Sequence, residues 1–300
     1  MSPEPRYAAH AYGLNWTSAF PLGQFDATTQ AGAADVDVQQ IATLPPRTPI
    51  APVRAGAVYA DGTRFPWYRQ ATFDMRDGRQ IDVLPGPAWS GALPHAFYGT
   101  VVAHLLAWRG LIPMHGCAVA IDGRAVLILG DAGAGKSSLA AGLIAQGAAL
   151  VSDDLSALAF DAVSGGGAAV LPGRTTIRLD PMVANWIAGE RLDLPVRDTR
   201  GKMVLRPTTR SGGAPLPLTG VIALGLDPAA TTPLTRAGWL ARHLFRPVWM
   251  AALPNHAERQ RMLLALAAIL PVRGFPAVAG GGAVAHAERA RAALTVARNL

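Results

Sequence analysis

The sequence predicts an α/β fold built on a phosphate-loop core, with a smaller, mostly β part ahead of it. Three observations predict this. The apolar run Ala125 to Leu129 reads as a strand, passes directly into the glycine-rich stretch Gly130 to Ser137, and is followed by a helical pattern from Lys136 to Ala145. A further strand pattern, Ala148 to Ser152, ends on Asp153-Asp154, which places two carboxylates at the carboxyl edge of such a sheet. Residues 1–95, in contrast, are rich in Pro, Gly, Thr and aromatics and alternate only over short stretches.

The elements follow in chain order. Tyr12 to Ser18, Ala71 to Asp77 and Gln80 to Leu84 read as short antiparallel strands, with Asp61-Gly62 and Asp77-Gly78 as turns that could close hairpins. These predict a small, mostly β N-terminal domain over 1–95, with the phosphate-loop domain expected over 96–300. Ala96 to Arg109 has helical apolar spacing and a C-terminal glycine, Gly110. Ala118 to Ile121, the turn Asp122-Gly123 and Ala125 to Leu129 form a strand pair, and Gly147 ends the helix after the loop. Beyond Asp154 the pattern loosens. Gly165 to Gly167 and Gly212-Gly213 mark loops, Pro181 to Gly189 reads as a short helix, and Val221 to Leu226 reads as a strand. Arg236 to Trp249 and His256 to Leu270 read as helices, and a last helix runs from about Val284 to Arg298 after the break at Gly280 to Gly282.

Half of the residues are hydrophobic and 16% are charged, the balance of a folded globular chain. The start, Met1 to His10, lacks an apolar core, and the best apolar run, Met262 to Val272, is too short to span a bilayer, so the expected location is the cytoplasm and no membrane partner is expected. Cys117 is the single cysteine and reads as a small buried hydrophobe. The net charge is +7, but the arginines are scattered without basic runs, which argues against nucleic acid and for an acidic ligand or peptide. Only two of the 27 basic residues are lysines, Lys136 and Lys202, and Lys136 stands inside the loop, where a compact ammonium fits and a forked guanidinium does not.

Gly130-Asp131-Ala132-Gly133-Ala134-Gly135-Lys136-Ser137 satisfies the Walker A pattern in full. Its glycines let successive backbone N–H groups converge, and the helix start adds positive potential, so Gly130 to Ser138 is the expected nucleotide site. A glycine-rich turn without a ligand is the bland alternative. Lys136 reaches the β- and γ-phosphates and Ser137 offers a hydroxyl to magnesium, which makes ATP and magnesium the expected cofactors. Of Asp153 and Asp154, one can hold the magnesium and the other can take a proton from an attacking hydroxyl; a solvated turn or helix cap is the competing reading. Arg174, Arg178, Arg200, Lys202 and Arg206 could clamp phosphates, although surface cations are common.

Met114-His115-Gly116, Ile121-Asp122-Gly123, the loop Gly130 to Ser137 and Ser152-Asp153-Asp154 together resemble the catalytic core of the HPr kinase/phosphorylases. They are closer still to the smaller related kinases found with lasso-peptide biosynthesis genes. The resemblance is specific over about residues 110–160. It implies a P-loop kinase core of the HPr kinase and phosphoenolpyruvate carboxykinase type, and a serine acceptor on a peptide or small protein. It further implies Asp153 as the general base, Asp154 and Ser137 as metal ligands, Lys136 on phosphate, His115 orienting the base, and homo-oligomerisation as an open possibility. The later Arg-Gly-x-Gly stretch with a metal-binding glutamate is missing, and Glu190 is the only Glu between residues 5 and 257, which favours the peptide kinases over a bifunctional HPr enzyme. A nucleotide-dependent switch protein is the alternative from another class.

Overall fold

The computed structural model describes residues 6–29, 33–53, 56–160, 167–192, 201–227, 232–277 and 283–300. Arg200 and the Gly280 to Gly282 break lie outside these residues, as do the first two glycines of Gly165 to Gly167. Among the described residues no helix is long and apolar enough to cross a membrane.

Among the described residues, nine short strands come first: β1 (Tyr7–Ala11), β2 (Leu14–Ser18), β3 (Asp26–Ala27), β4 (Val36–Gln40), β5 (Ala51–Val53), β6 (Gly56–Tyr59), β7 (Gly62–Trp67), β8 (Ala71–Arg76) and β9 (Gln80–Pro85). They form one sheet in the order β3-β1-β2-β4-β9-β8-β7-β6-β5. The strand expected over Tyr12 to Ser18 is instead the second arm of a hairpin. Tyr12 and Gly13 both take positive φ, 56° and 70°, the two-residue turn whose twist suits antiparallel strands. Asp77 and Gly78 also take positive φ, 51° and 60°, in the three-residue connection between β8 and β9 that Arg79 completes, at the turn the sequence predicts.

The helix expected over Ala96 to Arg109 begins as a π-helical turn, Phe97–Val101, and continues as α1 (Val102–Trp108). Phe97 and Leu105 are buried with Trp16 and Phe73 of the first sheet.

The second layer system holds β10 (Ile112–Met114), β11 (Gly116–Ile121), β12 (Arg124–Gly130), α2 (Lys136–Ala145), β13 (Ala149–Ser152), β14 (Ser156–Phe160) and β15 (Ala168–Leu171). It continues through β16 (Ile177–Leu179), α3 (Pro181–Ala184), β17 (Gly189–Leu192), β18 (Met203–Pro207) and β19 (Leu216–Leu224). The chain ends in α4 (Pro233–Arg242), α5 (Pro247–Ala252), α6 (His256–Ile269), β20 (Val272–Phe275) and α7 (Ala283–Arg298). The main sheet runs β10-β14-β15-β19-β12-β11-β13, with β20 also paired to β19, and β16-β18-β17 form a small separate sheet.

β12 lies between antiparallel β11 and parallel β19. Its residues alternate between two cores. Val126 and Ile128 pack with Leu139 and Leu143 of α2 and Ala293 of α7, whereas Leu127 and Leu129 pack with Leu240 of α4 and Leu266 of α6. A strand covered on both faces reads as a continuous apolar run, which is why Ala125 to Leu129 is so legible. Truncating Leu127 to Ala would cost about 2–5 kcal/mol through lost contacts and a residual cavity. This burial fixes the end of β12, and so the loop that follows it.

Other expectations need correction. The helix expected over Arg236 to Trp249 is two helices, because Arg246 takes φ 53° and Pro247 starts a new turn. The helix expected over Pro181 to Gly189 stops at Ala184, and Gly189 opens β17, where a Cβ would lie 2.4 Å from the Arg206 carbonyl. The strand expected from Val221 starts earlier, at Leu216, and ends at Leu224 beside Gly225 with φ 87°.

Candidate active site

The carboxyl end of β12 passes into the loop at Gly130, where a Cβ would meet the Leu224 side chain at 2.8 Å. Gly135, at φ 89°, is the N-cap of α2 and offers no side-chain cap. The first-turn N–H groups of Lys136, Ser137 and Ser138 therefore keep their donor capacity at the positive end of a ten-residue helix, an arrangement that attracts anions. Lys136 Nζ donates to the carbonyls of Gly130 at 2.8 Å and Asp131 at 3.1 Å and so spans the loop it belongs to. The cavity in front of the loop has a volume of about 560 Å³ and is bounded by Lys136, Ser137, Ser138, Asp153, Arg178 and Lys202, among others. Gly133 and Ala132 also line it, while Asp131 and Gly130 face a second cavity. Ala134 turns away from both cavities and packs against the apolar core beneath α2.

Asp153 follows the last residue of β13 and is 2% exposed. Its Oδ1 accepts from Ser137 Oγ at 2.9 Å and from Cys117 Sγ at 2.7 Å, and its Oδ2 accepts from the Arg178 backbone N–H at 3.0 Å. Both carboxylate oxygens are thus held from inside the protein. Cys117 is more than a filler here. Burial pushes its thiol pKa well up, and the Asp153 carboxylate pushes the same way, so it remains a protonated donor. Strand alternation could have flagged it, because Cys117 shares the β11 face of Val119, the face packed on α2.

Asp154 points elsewhere. It takes φ 68°, and the Leu155 N–H closes back on the Asp153 carbonyl at 2.8 Å, so the two carboxylates diverge. Asp154 Oδ1 lies 3.3 Å from His115 Nδ1, and Oδ2 lies 3.5 Å from both His95 Nε2 and Arg174 Nη1. His115 Nδ1 also lies 3.2 Å from the Asp154 carbonyl; facing two acceptors, it carries the ring proton, and Nε2 is left as the acceptor. Burial alone would raise the Asp154 pKa, but His95, the Arg174 charge and His115 outweigh it and hold the carboxyl well below the usual carboxylate range. Burial depresses the pKa of both His95 and His115. His95 Nε2 also lies 2.9 Å from Arg178 Nη1, so the same nitrogen stands between a guanidinium and the Asp154 carboxylate. The permanent charge facing Asp154 is then Arg174, which is 2% exposed and anchored by Nε to the Tyr98 carbonyl at 3.2 Å. That carbonyl belongs to the π-helical turn.

The candidate cations therefore divide. Arg178 and Lys202 line the loop cavity, Arg174 serves Asp154, and Arg206 is tied to Glu190 and the Gly23 carbonyl. His115 meets Asp154 rather than the carboxylate it was expected to orient. His95 had no sequence signal beyond standing before a helix. The second cavity, about 430 Å³, shares His115, Ala132 and Asp154 with the first and is closed by Trp67 and by the segment from Arg242 to Pro247.

Comparison with known proteins adds a likeness over this region. Residues 109–166 match the family model of the HPr serine kinase C-terminal domain, a stretch that includes His115, Cys117, the loop and both aspartates. No curated protein matches the chain. Among solved structures, the HPr(Ser) kinase/phosphatase from Coxiella burnetii is 17% identical, with 62% of this chain and 88% of that chain covered and a TM-score of 0.31, a superposition too loose to bear on the fold.

Proposed function

We propose that the chain is a kinase that uses ATP and magnesium to phosphorylate a serine hydroxyl on a peptide or small protein; the sequence resemblance points to a lasso-peptide precursor. One observation carries this reading: an anion-binding helix start stands beside two adjacent carboxylates that diverge, one toward the loop serine and one toward a second cavity. A plain nucleotide-binding protein needs the first carboxylate but has no use for the second.

The donor set fits magnesium. The Ser137 hydroxyl and the Asp153 carboxylate are hard oxygen donors 2.9 Å apart, and among the described residues no group of three or more His, Cys, Asp or Glu forms a protein cage. Magnesium is commonly held in this way, by one or two protein oxygens with phosphates and water completing the shell. When bound, it neutralises charge between the β- and γ-phosphates.

The remaining roles belong to the chain. Backbone N–H groups of Gly133 to Ser138 cradle the phosphates, and Lys136 meets the γ-phosphoryl group. The hydrogen bonds support exchanging the two aspartates relative to the resemblance. Asp153, buried and doubly held, suits the metal with Ser137, and Asp154, partly exposed and lining both cavities, suits the acceptor hydroxyl. A carboxylate held so firmly ionised is a weak base. Phosphoryl transfer through a loose transition state needs the acceptor oriented more than deprotonated early, so Asp154 acts chiefly by positioning the hydroxyl and taking its proton late.

The test is incubation with ATP, magnesium and a library of serine peptides, read by mass for an added phosphoryl group; release of free phosphate without a modified peptide would overturn the reading. The family match over residues 109–166 favours a second reading, in which the acceptor is a folded protein of the HPr type. Modification of such a protein with no modification of peptides would select it.

A further inference from the structure

The second cavity carries more than its closeness to Asp154. In a phosphate loop the later residues cradle the α- and β-phosphates and the lysine reaches the γ-phosphate, so the γ end points back toward the start of the loop. Here that start, Gly130 to Ala132, lines the second cavity, and Ser137 and Ser138 line only the first. The second cavity is therefore placed beyond the group to be transferred, on the Asp154 side. At about 430 Å³ it lies within the range of ~300–1,000 Å³ of ordinary ligand sites.

Its outer wall is a segment held in a fixed form. The His115 N–H donates to the His243 carbonyl at 2.8 Å and the Phe245 N–H to the Pro113 carbonyl at 2.9 Å, so residues 243–245 are laid against β10, with Met114 paired to Leu244. The next residue, Arg246, takes the left-handed backbone that side chains rarely adopt (φ 53°, ψ 62°) and still accepts the first N–H groups of α5. This brings Arg242 and Arg246 to the cavity, both exposed. Of the carboxylates in the cavity, Asp154 has Arg174 at 3.5 Å, whereas Asp131 is exposed and lies 3.6 Å from Nε2 of His243, a ring whose Nδ1 donates to the Trp239 carbonyl. Among the described residues neither Arg242 nor Arg246 forms a salt bridge. Trp67 and Phe245 supply aromatic wall.

We propose that this cavity is the acceptor subsite and that Arg242 and Arg246 select a serine hydroxyl flanked by a carboxylate, whose paired oxygens match a guanidinium fork. The inference rests on the kinase reading for the direction of the γ-phosphate, and the experiment separates the two.

Binding to the full-length chain is measured by calorimetry with magnesium and a non-hydrolysable ATP analogue present. Four serine peptides of one length are used, flanked by Glu or by Gln, each with a free or an amidated C-terminus. The proposal expects a peptide bearing a carboxylate beside the serine to bind at least about 10-fold tighter than the neutral amidated peptide, with the free and amidated arms telling a chain-end carboxylate from a side-chain one. It expects the double variant Arg242→Gln/Arg246→Gln to bring all four dissociation constants together, and Arg242→Lys/Arg246→Lys to restore part of the preference. Equal binding of all four peptides to the natural chain overturns the proposal, as does a preference that survives in the double Gln variant. Phosphoryl transfer is read separately with hydrolysable ATP: selective binding without transfer leaves a carboxylate-selective peptide site but removes the kinase reading and with it the acceptor role, and transfer without selectivity keeps the kinase reading and overturns the role of Arg242 and Arg246.

Discussion

Ser137 Oγ donates to Asp153 Oδ1 across 2.9 Å, tying the first turn of α2 to the end of β13. The bond joins two elements that both lie against β11, one as its sheet neighbour and one packed on its face, and sets the loop serine and the strand-end carboxylate at one point. Ser137→Ala removes a metal oxygen but leaves Asp153 held by Cys117 and the Arg178 N–H. The magnesium concentration needed for half-maximal nucleotide binding is expected to rise by about 10-fold or more, with thermal stability little changed. Titration of nucleotide binding against magnesium checks this.

Asp154→Asn keeps the shape of the side chain and removes the proton acceptor. The expected result is a fall in kcat of about 10²- to 10⁴-fold with nucleotide affinity nearly unchanged, whereas Asp153→Asn should weaken magnesium-dependent nucleotide binding itself. Rates and nucleotide dissociation constants for the two variants, measured side by side, distinguish the roles.

Arg174 keeps Asp154 ionised, so its removal should appear in the pH profile. With Arg174→Met the Asp154 pKa rises from its depressed position, and activity should fall as pH drops through the new, higher value. The natural chain, with that pKa held low, should show no such acid limb from Asp154 in the same range. Arg174→Lys should restore part of the original profile, which separates a charge effect from damage to packing.

His104 gives a stability prediction independent of the site. It is buried between Trp249 and Phe65, and neither ring nitrogen has a hydrogen-bond partner. Burial, with Arg246 and Arg259 nearby, lowers its pKa to about 3 from the ordinary value of 6.5. The folded chain thus binds fewer protons than the unfolded chain between these values, and stability is unaffected above pH 6.5 and falls as pH drops from 6.5 toward 3. At about pH 5 the loss from this group is about 2 kcal/mol. Denaturant midpoints should decline less steeply with acid for His104→Leu than for the natural chain.

Cys117 donates to Asp153 and faces Ser137 at 3.7 Å. Cys117→Ser keeps a donor and should preserve the magnesium dependence. Cys117→Val removes it and leaves a buried carboxylate one bond short, at a cost of about 1–3 kcal/mol. Melting temperatures and magnesium titrations of the two variants make the comparison.

The parts of this molecule that were legible from sequence share a physical cause. β12 and α2 are legible because both are continuously apolar and buried, β12 on both faces, and the loop between them needs glycine for reasons visible in one dimension. The turns at Asp77-Gly78 and Asp122-Gly123 are equally local. The strands from β14 to β18 have three to five residues each and are fixed by partners far along the chain, so periodicity carries little of them. The break between α4 and α5 depends on β10 capturing residues 243–245, a tertiary event that overrides a continuous helical pattern. At the site, the loop and the aspartate pair stand within a short stretch and were readable. Arg174, His95 and the donor role of Cys117 were not, because each reaches the aspartates through the fold, and the divergence of Asp153 from Asp154 depends on one left-handed residue.

The most direct measurement of the central claim is transfer of label from γ-labelled ATP to a serine peptide, with the natural chain, Lys136→Ala and Asp154→Asn compared under identical magnesium. Label on the serine with the natural chain, absent with Lys136→Ala and formed at least about 100-fold more slowly with Asp154→Asn, is the predicted result. Label that stays in ATP or appears only as free phosphate with every peptide and protein acceptor offered, or that reaches serine equally well with Asp154→Asn, would contradict the account.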